Sequence, residues 1–262
     1  MTCENFKSKV PAVTRAAKIL DLIAKKGQCS AKDFMSELSI SKSSLYLLLD
    51  EMSHLGFIYK DLQGNYALGL KLLSFGEAAL EKGSLYHEIK MQLAKLVEKT
   101  GGLAAYFGIM TGDHARFLVK ACNEASVIET KSKEGMPIDF LHSGIGKCLL
   151  AFADDQERQE IISSLDFKKI TAKSLDNEKL LEADLKFVRS RGWAFNDSED
   201  DPEIRSIGVP VLGTSGVTAA VSVVATVNRM SDEKLEVWAL DAKGCADGIS
   251  KLIFCQGSVN LS

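Results

Sequence analysis

Apolar positions Val13, Ala16, Ala17, Leu20 and Ile23 recur at helical spacing and predict a first helix over 13–26. Gly27 follows as a stop. Ser30 and Asp33 have the spacing of a capping box, so a short second helix is expected to bury Phe34, Met35 and Leu38. Ser39-Ile40 makes a tight connection, and Ser41 is a suitable N-cap for a third helix over 41–55. That helix carries Leu45, Leu48, Leu49, Met52 and Leu55 on one stripe, with Ser43, Leu47, Asp50 and His54 opposite. Gly56 ends it. Residues 57–60 and 65–68 then read as two short strands around a turn at 61–64. Three short helices, a tight turn before the third and a hairpin describe a winged helix-turn-helix.

Residues 69–83 predict another helix, with Leu72, Leu73, Phe75 and Ala79 available for packing. Gly83 interrupts it, and a further helix is expected near 85–100. From Gly101-Gly102 the period changes. Residues 103–110, 115–121 and 126–130 read as strands, with a hairpin turn at Thr111-Gly112-Asp113. Helices are expected near 143–164 and 177–191. Strands return at 193–197, 204–211 and 217–227, the last pair around a turn at 213–216, and a final helix runs over 232–254. Residues 217–227 are almost continuously apolar, as in a buried strand. Strands grouped around helical insertions give an α+β class.

Composition narrows the function. At 262 residues, two domains are the natural expectation. No apolar run reaches the ~18 residues of a membrane span, and residues 1–6 lack a signal-peptide core, so the cytoplasm is the expected location. The cysteines at 3, 29, 122, 148, 245 and 255 form no C-x-x-C pair, so reduced thiols are expected, with no metal or cofactor. The net charge is −3, yet residues 1–71 carry ten Lys or Arg against seven Asp or Glu. A mildly basic head on an acidic body suits a DNA-reading module joined to a domain of another kind. There is no G-x-S-x-G elbow, no complete phosphate loop and no H-E-x-x-H, so catalysis is not expected.

The third helix is short enough to lie in a major groove. Its N-terminus presents backbone N–H groups, and Ser41, Lys42, Ser43 and Ser44 stand there to meet phosphates and base edges. Tyr46 can bond a phosphate or pack on sugar. Lys60 on the wing and Arg15 and Lys18 on the first helix can reach backbone phosphate. A helical bundle with a solvated Ser/Lys face, or a winged helix that binds protein, fits the same pattern. Acidic Asp50 and Glu51 lie in later turns, which usually point away from the groove.

The order of motifs goes further. Arg15-Ala16, Ile19-Leu20, Lys42-Ser43-Ser44, Leu48-Leu49, Gly56-Phe57 and Tyr66-Ala67-Leu68-Gly69 resemble the head of the isocitrate lyase regulator (IclR) family. Downstream, Ser143 with Gly144-Ile145-Gly146-Lys147, Val188-Arg189 with Gly192-Trp193, and Glu199 with Ser206-Ile207-Gly208-Val209-Pro210-Val211 extend the resemblance across about 12–254. Leu47 departs from it: the family usually has Arg there. That leucine either meets a thymine methyl or is an uninvolved surface residue.

The resemblance implies domains at 1–68 (DNA binding), 69–84 (linker helix) and 85–262 (effector binding), the last with a sheet like those of GAF and PAS sensors. It implies a homodimer, or a dimer of dimers, on double-stranded operator DNA, with a small-molecule effector such as an organic acid. The effector would be surrounded by Val127, Thr130, Ile138, Ser143, Gly144, Ile145, Asn196, Ile204, Ser206 and Ser222. The Gly144 and Ile145 N–H groups would suit a carboxylate. Asn196 stands where the family often has Asp. Either Leu141 or His142 takes the position of the family's loop histidine. Ile204, Ser206 and Gly208 share one face of an extended strand, and Ala220, Ser222 and Val224 share a face of theirs. Buried hydroxyls at Ser206 and Ser222 need partners, from the backbone or from a ligand.

Overall fold

The computed structural model describes residues 9–82, 84–111, 113–213 and 216–254. They fall into two compact units, one within residues 9–82 and one within residues 84–254.

In the N-terminal unit, helices α1 (Pro11–Lys26), α2 (Ala31–Leu38) and α3 (Lys42–His54) precede a hairpin of β1 (Ile58–Lys60) and β2 (Tyr66–Leu68). Helix α1 starts two residues before the expected boundary because Pro11 sits in its first turn, where a missing N–H costs nothing. The capping box forms as read: the Ser30 N–H donates to the Asp33 carboxylate at 2.7 Å, and the Asp33 N–H donates to Ser30 Oγ. The buried stripe of α1 is Ile19, Leu22 and Ile23, whereas Val13 and Ala17 are exposed. These residues close one core with Phe34, Leu45, Leu49, Met52, Ile58 and Tyr66. Leu55, assigned to the buried stripe of α3, is exposed at its end. Helix α4 (Leu70–Lys82) follows the hairpin; Phe75 rests on Phe57 at 5.9 Å, and Leu73 is exposed. The expected packing of Ala79 and the break at Gly83 lie outside the described residues.

The second unit has α5 (Ser84–Thr100), β3 (Ala104–Thr111), β4 (His114–Cys122), α6 (Gly144–Phe152), α7 (Asp155–Ser164), α8 (Glu178–Arg191), β5 (Ala194–Asp197), β6 (Ile204–Gly213), β7 (Gly216–Thr226) and α9 (Leu235–Phe254). The strands form one antiparallel sheet in the order β4-β3-β7-β6-β5. Two expectations change. The helix expected over 143–164 is two helices, because Asp154 leaves the helix and caps α7 by accepting from the Glu157 N–H at 2.8 Å. Residues 126–130, read as a strand, are irregular: Ser126 Oγ bonds both the N–H and the carbonyl of Ile128, a local turn that competes with strand pairing.

Period-2 alternation splits the sheet into two faces. One carries Ala105, Phe107, Ile207, Val209, Val221 and Val223, packed against α5 and α9 in an apolar core. The other carries Ala104, Tyr106, Ala194 and Ala220 in a second core with α6, α7 and α8. Register puts Gly208 opposite Ser222 and Ser206 opposite Val224, so the two strand triplets singled out in the sequence share this second face. Helix α6 lies directly on it. A Cβ on Gly208 would stand 2.1 Å from the Gly144 carbonyl oxygen, and one on Gly144 would stand 2.9 Å from that of Ser206. Only glycines allow this approach.

Candidate functional site

On the N-terminal unit, α3 begins with Ser41 in extended conformation. The expected side-chain cap is absent: Ser41 Oγ donates to Ser44 Oγ at 3.0 Å instead. The first-turn N–H groups of α3 therefore keep their capacity for an outside acceptor. Lys42, Ser43, Tyr46 and Leu47 are exposed, Leu47 at 73%. Ser43, Tyr46, Leu47 and Asp50 follow at helical spacing along a groove whose other side is Lys60 and Tyr66 of the wing. Lys60 Nζ lies 5.5 Å from the Tyr66 ring centre. Arg15 and Lys18 are exposed on α1. Asp50, in a later turn of α3, lines this surface groove with Tyr46 and Leu47.

The second unit holds a cavity of about 320 Å³ on the polar face of the sheet. Its inner wall is Tyr106 of β3, Ser206 of β6, Ser222 and Val224 of β7, and Ile145 at the start of α6. Phe117 packs beside Tyr106 with ring centres 4.9 Å apart. The segment 128–132 covers one side. Tyr106 Oη bonds Thr130 Oγ1 and donates to the Ser132 carbonyl at 3.2 Å. Burial pushes the Tyr106 phenol up to about 12, against the lowering effect of Thr130, so it stays protonated at neutral pH. Lys120 Nζ donates to the Ser132 carbonyl at 2.8 Å. At the open end stand Glu129, Asp200, Asp201 and Glu203, with Lys131 3.1 Å from the Asp201 carboxylate.

Behind the wall runs a buried polar network. Asn196 Nδ2 donates to the His142 carbonyl at 2.7 Å and to Asp200 Oδ1 at 2.9 Å, and its Oδ1 accepts from the Glu199 N–H at 2.8 Å. Lys147, fully buried on α6, meets Glu199 at 2.6 Å and Asp184 at 3.0 Å. Burial raises the Glu199 carboxyl above its ordinary value even though Lys147 pulls it down. Burial lowers the His142 imidazole, but its bond to Asp139 at 3.1 Å and that carboxylate's charge outweigh this and leave it raised.

Of the residues expected at the effector, Thr130, Ser143, Ile145, Asn196, Ile204, Ser206 and Ser222 line the cavity. Val127, Ile138, Leu141, His142 and Gly144 do not. Val127 is fully exposed on the irregular segment, and Ile138 and Leu141 belong to the core. His142 is buried against Asp139, so neither candidate for the loop histidine reaches the cavity. The Gly144 N–H is spent on Ser206 Oγ at 3.1 Å, which removes half of the expected carboxylate clamp. Asn196 lines the wall, yet its amide is committed to the network. Sequence reasoning missed Tyr106, Phe117 and the acidic mouth. A tyrosine inside an apolar strand was the one usable signal, because its hydroxyl needs a partner when buried.

A capless recognition helix beside a wing, and a separate sheet unit with a cavity open at one end, define a regulator class with one DNA-facing and one ligand-facing part. The chain matches the family model described as "IclR helix-turn-helix domain" over residues 12–62 and that described as "Bacterial transcriptional regulator IclR C-terminal" over residues 77–251. It therefore belongs to the IclR family of bacterial transcriptional regulators. It is 36% identical to the Escherichia coli K12 protein named "Uncharacterized HTH-type transcriptional regulator RhmR", over 94% of each chain. The crystal structure of the Thermotoga maritima IclR is 26% identical, with TM-score 0.61, covering 92% of this chain and 98% of that one. An IclR homolog from Microbacterium hydrocarbonoxydans complexed with 4-hydroxybenzoate shares the fold at 17% identity and TM-score 0.59, covering 94% and 98%. Among the described residues no helix is long and apolar enough to cross a membrane, and no cluster of metal-ligating side chains occurs.

Proposed function

We propose that this regulator reads its operator with the α3 face and wing, and that a small organic molecule in the sheet cavity modulates that binding. The observation that carries the reading is the cavity itself, walled by the hydroxyls of Ser206 on β6 and Ser222 on β7. Lys42, Ser43 and Ser44, with the open N–H groups of α3, would hold phosphate and base edges. Tyr46, Lys60, Arg15 and Lys18 would add backbone contacts. Leu47 would place a methyl-seeking surface in the groove where a cation is usual in the family, so affinity rests on fewer phosphate contacts. The acting form would be a cytoplasmic homodimer, or a dimer of dimers, with half-sites about one helical turn or a multiple apart. Residues 69–84 would link the 1–68 head to the 85–262 sensor.

Operator and effector occupy separate sites, so each must change the other's affinity by the same factor. The test is a gel shift on DNA upstream of the chain's own gene, across salt concentrations. Binding that weakens steeply with salt is expected, because counterions leave the phosphates. Absence of a shift at low salt on every upstream fragment would overturn the DNA reading.

A further inference from the structure

Most polar groups of the inner cavity wall, at the start of α6 and on the sheet, are already bonded within the fold. The Gly144 N–H is used by Ser206 Oγ, and the Gly146 N–H by Ser143 Oγ at 2.9 Å. Ser143 in turn donates to the Asp139 carbonyl. Tyr106 and Asn196 are committed, as above. On the inner wall three donors remain without a partner among the described residues: the Ile145 N–H, the Ser206 O–H and the Ser222 O–H. Ser222 is 2% exposed, and what little it exposes faces the cavity. All three lie at the inner end, beside the N-terminus of α6, whose partial positive charge favours an acceptor group.

The mouth has the opposite character. Glu129, Asp200 and Glu203 are exposed there, and Glu129 and Glu203 have no ion-pair partner among the described residues. The one cation lining the cavity among the described residues, Lys131, is held by Asp201, and nearby Lys120 gives its ammonium to the Thr130 and Ser132 carbonyls. Carboxylates accept hydrogen bonds and repel negative charge. A ligand with one acidic end and a chain of hydroxyls satisfies both ends. A second carboxylate would meet the acidic mouth with no free cation to balance it.

Building on the reading of this cavity as the effector site, we propose that it takes a polyhydroxylated monocarboxylate, with its carboxylate at Ile145, Ser206 and Ser222 and its hydroxyls toward Glu129, Asp200 and Glu203. Doubly charged acids and aromatic acids are the classes it turns away: the first by charge, the second because an aromatic ring offers the mouth too few donors.

The test uses the full chain and three sets of sugar derivatives on matched six-carbon skeletons in several configurations: alditols, aldonates and aldarates, with 4-hydroxybenzoate as a fourth arm. Calorimetry should find an aldonate that binds at least about tenfold more tightly than its alditol and aldarate. Ser222→Ala should weaken that aldonate about tenfold or more, as loss of a hydrogen bond to a charged group. The Glu129→Gln, Glu203→Gln pair, both at exposed positions, should narrow the gap between aldonate and aldarate. If an aldarate or 4-hydroxybenzoate binds best and remains sensitive to Ser222→Ala, the ligand class is wrong and the cavity reading stands. Should the best ligand ignore Ser222→Ala, the cavity reading itself fails. No binding by any aldonate at millimolar concentration overturns the proposal.

Discussion

The two faces of the sensor sheet are made by the same strands and differ in what they are for. On one, Ile207, Val209, Val221 and Val223 pack against α5 and α9 in an apolar layer. On the other, one residue along in each strand, Ser206, Gly208 and Ser222 leave room, hydroxyls and a helix terminus around a cavity. Because side chains alternate at period two, a single strand can contribute a wall to a core and a wall to a site without lengthening. The comparison teaches that stability and recognition can be held on opposite sides of one sheet. Changes on each side should then be felt differently.

The largest effect tests whether the cavity side is as fixed as the packed side. Lys147→Met leaves Glu199 buried without its partner, and a loss of about 4 kcal/mol in urea denaturation is expected at neutral pH. The sign with pH follows from the raised Glu199 carboxyl. A group whose folded pKa lies above its unfolded value adds stability as pH falls through the folded pKa toward the unfolded one. The deficit of the variant should therefore shrink in mild acid, when Glu199 takes up a proton. A deficit independent of pH would show that Lys147 acts by packing alone.

Next in size, Ile207→Ala on the apolar face should cost about 3 kcal/mol by opening a cavity among fully buried neighbours, and ligand affinity of the folded protein should hardly move. The smallest stability effect is expected one strand over. Ser222→Ala removes a hydroxyl that bonds no described group, so stability should stay within about 1 kcal/mol of the parent. If Ser222→Ala costs as much as Ile207→Ala, the division of labour between the faces is wrong.

Much of this was legible in the chain. The helical periods of 13–26 and 41–55, the Ser30–Asp33 box and the wing fixed the head, because each is a local pattern. Ser206 and Ser222 stood out as hydroxyls in apolar strands, and both line the cavity. Other assignments failed for reasons that spacing cannot show. Asp154 broke an expected helix through its side chain, and Ser126 turned an expected strand aside. Spacing alone leaves the Gly144 N–H free, whereas in the fold Ser206 of β6, 62 residues along the chain, accepts it.

The sequence by itself determined the periods, the Ser30–Asp33 capping box, the family and the identity of the small polar residues, all properties of residues near one another in the chain. Only the tertiary structure decided that Ser206 and Ser222 share a face, that Gly144 and Gly208 let α6 rest on the sheet, and which wall donors stay free. The reason is physical. Strand register and helix docking set which distant groups pair, and a hydrogen bond used within the fold is no longer available to a ligand.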